Sequence, residues 1–407
     1  MFLIDKPYVS SFLVETIKEN NFQIVATTVA KELITDDSLN WVEEEKAISM
    51  IKNNPELRVY TNSENALGWI EENLGETSLY HQINLLKNKA SFRKVIKDLY
   101  PDFNYKELKI EAIHKLESKD ISFPFVIKPS VGFLSIGVHI VLNEADWIKA
   151  KKELSIENLK SIFPPSVLNT SNFIIEDYIA GEEYAVDYYY DNDGNVVILN
   201  ILHHIFASGT DTSDRVYYTS KEIIEQHKSI LESFLYDVGK KMNIKSFPGH
   251  AEVKIDENNK IVPIEINPLR FGGWCTSGDL AGISLENNSY EYYINNKTPN
   301  WDEIFKGKES KKYSIAILDN NSGISLSNIS NFDYIKLAKD FEKPILIREL
   351  DINTYNLFGF VFAETTSSKS SELTDILTSD LRKYITHSEV YSWCICRILK
   401  KAVHFGY

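Results

Sequence analysis

Two glutamates and an asparagine near the middle of the chain form the arrangement with most chemical potential. They lie in His250–Gly273, HAEVKIDENNKIVPIEINPLRFGG, where two β-rich runs flank Glu257-Asn258-Asn259-Lys260. Asn tolerates positive φ, so Asn258-Asn259 predicts a tight two-residue turn. That turn sets Glu252 directly opposite Glu265, on one sheet face with Cβ atoms roughly 5 Å apart. Asn267, two residues beyond Glu265, projects from the same face. Two adjacent carboxylates repel unless a positive charge lies between them. Carboxylate and amide oxygens on a rigid face make a hard-cation site, of the kind that holds Mg²⁺ with a nucleotide's phosphates. The opposite face would carry Ala251, Val253 and Ile255 against Val262, Ile264 and Ile266. A solvated hairpin with Lys254 as local counter-ion is the plainer alternative.

The elements upstream supply further groups. Leu85–Leu99 reads as one amphipathic basic helix containing Lys89. FPFVIKPSVGFLSIGVHIVL (123–142) reads as strand, small-residue loop, strand, with Lys128 closing the first strand. The loop holds Gly132, Ser135 and Gly137, whose backbone N–H groups could face phosphate oxygens. A strand at Phe173–Glu176 ends in a carboxylate. A hairpin around Asp193-Gly194 then places Glu183, Ala185 and Asp187 on one face. His203–Ser220 is polar with little pattern, and predicts a mobile loop containing Arg215. Lys221–Met242 is a long amphipathic helix.

The first 84 residues alternate short strands and helices, the rhythm of a small doubly wound sheet, but contain no GxGxxG. Its strand ends, Asp5–Ser11 and Thr61–Asn65, lie where open α/β sheets bind ligands, although ordinary capping and turn chemistry is the better account of any one of their Ser and Asn residues. Leu280–Asn295 predicts a helix. Strands at 313–318, 343–350 and 357–364 and a helix at 371–385 predict a small C-terminal α+β lobe. The expected divisions are 1–84, 85–300 (with a lid at about 120–175) and 301–407.

Composition is that of an ordinary globular protein. The net charge of −14 and the absence of a Lys/Arg block argue against nucleic acid or an anionic membrane as partner. Three cysteines, Cys275, Cys394 and Cys396, make neither a disulfide framework nor a zinc motif. The first residues lack a signal-peptide core, and no run is long enough to span a bilayer; a cytoplasmic protein is expected.

Taken in order, basic helix, lysine-ended strand with small-residue loop, strand ending in carboxylates and Glu/Glu-x-Asn hairpin, the chain resembles the ATP-grasp superfamily of the carboxylate–amine ligase type. The resemblance covers about 85–300, and the preceding α/β unit is similar to the domain preceding the grasp in that family. It implies ATP and Mg²⁺ (or Mn²⁺). Lys89 and Lys128 would bind the phosphates under the loop containing Ser135. Glu176 with the backbone of Tyr178 and Ile179 would hold adenine, and Glu183 the ribose. Glu252, Glu265 and Asn267 would ligate the metal. Arg270, or Arg215, would stabilise the transferring phosphoryl and the substrate carboxylate. The sequence departs from the pattern in two places. Phe133 and Leu134 occupy the phosphate loop, and Leu269 separates Asn267-Pro268 from Arg270.

The implied reaction joins a small carboxylic acid to an amine, amino acids among the candidates, through an acyl phosphate. A homodimer is one candidate assembly. A phosphotransferase of the same fold, or a nucleotide-binding protein without turnover, are the alternatives.

Overall fold

The structure is a computed structural model and describes residues 1–131, 137–154, 172–209, 211–355, 357–366, 369 and 371–387. Ser135, Phe133, Leu134, Cys394 and Cys396 lie outside the described residues. The chain forms two compact units. The first comprises 1–204, 210–213 and 222–306; the second comprises 205–209, 214–221 and 307–407.

The first unit opens with a parallel sheet of β1 (Phe2–Leu3), β2 (Gln23–Val25), β3 (Asn40–Val42) and β4 (Tyr60–Thr61), ordered β3-β2-β1-β4. Helices α1 (Ser11–Glu19), α2 (Thr28–Leu33), α3 (Glu44–Asn53) and α4 (Ala66–Leu74) connect the strands and follow the last. The doubly wound rhythm is as expected, with α2 and β3 added between the second strand and the helix at 44–53. These elements are too short for periodicity to reveal. Phe2, Ile24 and Tyr60 share one apolar core with Tyr189, Leu199, Phe271 and Tyr290 from beyond residue 180, so the N-terminal sheet and the later strands are one body.

The expected single helix over 85–99 is two: α5 (Ser78–Lys87) and α6 (Lys89–Val95). The break is at Asn88, whose extended backbone (φ −83°, ψ 109°) and side chain cap α6 by accepting from Ser91 N at 2.8 Å. Lys89 is therefore the first residue of a helix, and its N–H donates to Ser130 O at 2.9 Å.

An antiparallel sheet follows, β5 (Tyr105–Lys109), β6 (Phe125–Pro129), β7 (His139–Val141) and β8 (Asn172–Asp177), ordered β5-β8-β6-β7. Alternation sends Phe125 and Ile127 into a core with Trp147 and Phe173, and Lys128 to the other face. In register, Lys128 lies opposite Ile174 and Val126 opposite Glu176, so Lys128 and Glu176 are diagonal neighbours on one face.

After β8 the chain turns at Gly181 into β9 (Glu182–Tyr190) and β10 (Val196–Ile205). Gly181 has φ +115°, and a Cβ there would lie 2.4 Å from Ile255 O, so glycine is required. β11 (Val216–Ser220) belongs to the second unit. Helix Lys221–Met242 leads back to β12 (Phe247–Ile255) and β13 (Ile261–Pro268), which complete the order β13-β12-β9-β10 in the first unit. The expected helix at 280–295 is two helices, Thr276–Leu285 and Ser289–Ile294, parted at Glu286 with φ +57°.

In the second unit β11 pairs with β14 (Lys311–Asp319), β14 with β17 (Leu357–Thr366) and β17 with β16 (Lys343–Glu349). A two-stranded ribbon, β15 (Ile329–Phe332) with β18 (Ile385–His387), lies beside helix Ser371–Thr378, which ends earlier than expected. Phe332, Phe358, Val361, Ile376 and Tyr384 are part of its core.

Candidate active site

Glu252 and Glu265 are opposite each other, as the spacing predicts. The route differs from the one expected. Asp256 N–H donates to Lys260 O, leaving a three-residue loop with Asn259 at φ +61°, and the Asp256 side chain accepts from the Asn258 and Lys260 N–H groups. This longer loop moves the register by one residue, with Ile255 opposite Ile261 and Val253 opposite Pro263. A bulge at Ile264 then restores the pairing of Glu252 with Glu265. Ile261, Pro263 and Ile266 therefore face Ile255, Val253 and Ala251 in place of the expected Val262 and Ile264. The bulge also frees the Ile264 carbonyl, which accepts from Lys128 Nζ at 3.4 Å.

The carboxylate pair is held by a cation and an amide. Lys89 Nζ lies 2.5 Å from Glu265 Oε2, and Asn267 Nδ2 donates to Glu265 at 3.1 Å and to Glu252 at 3.5 Å. Burial alone would raise the Glu265 carboxyl, but Lys89, then Lys128 and Lys87, hold it far below the usual range. Lys89 is correspondingly raised by Glu265 against the pull of its own burial. Lys128 Nζ contacts Glu176 Oε1 at 2.6 Å, and Arg93 Nε donates to Glu176 Oε2 at 2.9 Å. Glu176 is 2% exposed, yet its two cations keep it ionised below the usual range despite burial. Burial pulls Lys128 down.

Farther along the same face, His250 lies opposite Asp187 in the ladder, with Nδ1 2.6 Å from Asp187 Oδ1. Gly272 N–H donates to that same oxygen at 3.1 Å. Glu183 Oε1 lies 2.8 Å from His204 Nδ1, and His204 Nε2 is 3.1 Å from Ser213 O. Tyr178 and Ile179 are half-buried in the link between β8 and β9.

The residue that displaces Arg270 from the expected spacing has a defined job. Leu269 is buried at φ +59°, and its carbonyl accepts from Thr61 N–H at 2.7 Å, which aims Arg270 at the loop after β4. Arg270 Nη2 donates to Glu64 Oε1 at 2.7 Å, and Lys87 donates to the other oxygen of that carboxylate.

Arg215 departs from expectation. Val216–Ser220 is a strand, and Arg215 just before it is 2% exposed. Its guanidinium is taken up within the second unit by Asp319 at 2.6 Å, Ser379 O at 2.7 Å and Ile376 O at 3.3 Å. It is a structural residue of that unit, not an arm of a mobile loop. The strand ends singled out in the N-terminal sheet divide similarly. Ser10 caps α1, and Asn62 braces Asp5 and Tyr8. Glu64 alone reaches the charged cluster.

The sequence reading missed Arg93, Lys87 and Glu64. Arg93 was within reach, because four residues after Lys89 it lies on the same helical face. Lys87 depends on the break at Asn88, and Glu64 carries no local signal.

Residues 121–278 match the ATP-grasp domain family. The chain carries an ATP-grasp domain. A 191-residue stretch, 46% of this chain, is 25% identical to the C-terminal section of the carbamoyl phosphate synthase large chain from Methanopyrus kandleri, and spans about a third (33%) of that relative's length. Crystal structures share the fold over nearly the whole chain. An L-amino acid ligase from Bacillus licheniformis aligns with TM-score 0.64 at 17% identity, covering 95% of this chain and 98% of that one. The N5-carboxyaminoimidazole ribonucleotide synthetase from Thermotoga maritima gives 0.60 at 13% identity over 95% and 98%. A biotin carboxylase from Campylobacter jejuni gives 0.59 at 15% over 95% and 92%.

Among the described residues no three His, Cys, Asp or Glu side chains converge as a metal cluster. Two carboxylates and one amide on a rigid face nevertheless suit Mg²⁺, which binds through one or two carboxylates and fills its sphere with water and phosphate oxygens.

Proposed function

We infer that this protein is an ATP-dependent ligase that joins a small carboxylic acid to an amine and releases ADP and phosphate. The observation that carries it is the opposed pair Glu252 and Glu265, with Asn267 beside them and Lys89 drawn onto the pair. Glu252, Glu265 and Asn267 would hold Mg²⁺ (or Mn²⁺), which supplies charge neutralisation on the phosphates. Lys89 and Lys128 bind phosphate oxygens, with Glu176 and Arg93 fixing the height of Lys128. Glu176, with the Tyr178 and Ile179 backbone, faces the adenine end, and Glu183 the ribose. The L-amino acid ligase from Bacillus licheniformis, which shares the fold, supports this reading.

A carboxylate oxygen is a poor leaving group and must be activated first. The acid's carboxylate attacks the γ-phosphorus and ADP departs, leaving an acyl phosphate. The amine then attacks the acyl carbon, phosphate leaves with one carboxylate oxygen, and the amine's surplus proton passes to solvent. Arg270 lies beside the metal ligands where charge builds on the transferring phosphoryl.

The test is ATP consumption with Mg²⁺ against amino acids and other small acids, followed by product analysis. With ¹⁸O in the acid's carboxylate, label is expected in released phosphate. Amide formed with unlabelled phosphate overturns the acyl phosphate. A phosphorylated product would make the protein a phosphotransferase, and tight ATP binding without turnover a nucleotide-binding protein.

A further inference from the structure

Glu64 lies in the loop between β4 and α4, and no motif marks it. Two cations from separate elements nevertheless close on its carboxylate. Arg270, at the exit of β13, donates from Nη2 to Oε1 at 2.7 Å, and Lys87, at the end of α5, donates to Oε2. The side chains of Arg270, Lys87 and Glu64 are 11%, 18% and 22% exposed. Arg270 Nη1 donates to Phe271 O at 2.9 Å, while its Nε is buried without a hydrogen-bond partner among the described residues. The cluster adjoins the metal face. Burial would pull Arg270 down, but Glu64, then Glu252 and Glu265, raise it, and Glu265 also acts on Lys87.

A guanidinium and an ammonium this deeply buried cannot stand unpaired without a strong penalty. Some anion must occupy the space between them. A planar fork on one oxygen and a point charge on the other suit a single carboxylate. Glu64 supplies one from a loop, on a side chain that can swing away. An acid substrate brings the same charge and the same two oxygens. Exchanging one for the other preserves both the charge balance and the hydrogen bonds of the seat, and Glu64 regains solvent.

We propose that Arg270 and Lys87 form the seat for the carboxylate of the acid substrate, and that Glu64 is a tethered stand-in which the substrate displaces. The proposal rests on the ligase reading and gives that ligase a threshold for its acid. A tethered competitor acts at an effective concentration on the order of mM, so a bare anion loses to it. An acid with further contacts in the pocket wins.

Acetate binding to the full-length, nucleotide-free protein, measured by calorimetry, tests the seat without relying on turnover. Glu64→Gln keeps size and removes the competing charge, and acetate should bind it about tenfold more tightly than it binds the wild type. Adding Lys87→Met should abolish the gain. Glu64→Asp retains charge but shortens the reach by a methylene; it should show a smaller gain, and serves if the Gln variant does not fold. With a turnover substrate in hand, Glu64→Gln should lower the KM for the acid and leave that for ATP in place. If Glu64 is instead a fixed brace, acetate affinity stays at the wild-type value and kcat falls; that result overturns the proposal. Amide synthesis by the wild type without an acetate gain would retire the seat alone. An acetate gain without amide synthesis would retire the ligase reading and keep an anion seat.

Discussion

The smallest scale at which the chemistry can be tested is the Glu265 carboxylate. It faces Glu252 across the ladder, accepts from Asn267, and is held ionised by Lys89. Glu265→Gln preserves shape and removes the charge a metal needs. Mg²⁺-ATP turnover should fall about 100-fold or more, and the variant should still fold, with a lowered melting temperature because Lys89 loses its buried partner. Near-normal rates at saturating Mg²⁺ would remove the hairpin from the site. Glu265 and Asn267 were legible as neighbours on one face because strand alternation has period two, whereas Glu252 faces Glu265 only because the longer loop and the bulge at Ile264 cancel, an offset the sequence does not reveal. Arg215 was visible as a charged residue and misplaced. The β-rich Val216-Tyr217-Tyr218 beside it, the start of a strand, outweighs the polar neighbours that suggested a loop. Glu64 was illegible, since its partners are 23 and 206 residues away in sequence.

At the scale of the element, the β12–β13 hairpin brings Glu252, Glu265 and Asn267 together through a compensated irregularity. Its longer loop and its bulge cancel at Glu252 and Glu265. Deleting Ile264 should therefore yield a regular ladder in which the two carboxylates still face each other. What disappears is the carbonyl that accepts from Lys128. The deletion variant should fold and bind Mg²⁺ with near-normal affinity, but bind ATP several-fold more weakly. Loss of both together would show that the bulge is needed for the ladder itself. Helix α6 makes a similar point. A continuous helical spacing through Leu85, Leu86, Lys89 and Phe92 conceals the break, because Asn88 signals a cap only once its backbone leaves the helix.

For the whole molecule, buried ion pairs in the first unit contribute to the acid limb of stability. Glu64, Glu176 and Glu265 all have folded pKa values below their unfolded value of about 4.3. Groups depressed in this way contribute stability that is fully present above the unfolded pKa and is lost as pH falls through the folded pKa. The urea midpoint should hold down to about pH 5 and decline below about pH 4. Glu176→Gln should flatten that decline; an unchanged slope would remove this pair from the account.

The overall charge has a kinetic consequence. A chain with formal net charge −14 presents a repulsive field to any anionic nucleotide, although Lys89 and Lys128, the proposed phosphate ligands, are buried in the first unit. Salt screens the distant carboxylates over a Debye length of about 8 Å at physiological strength, and screens buried contacts far less. Raising salt from about 0.01 M to about 0.15 M should therefore speed nucleotide association in stopped-flow, the reverse of the behaviour of enzymes that steer their substrates inward. An association rate that falls with salt would show that the field of the buried lysines already dominates at a distance. For this protein the approach would be slowest in dilute buffer, where laboratory assays are often run.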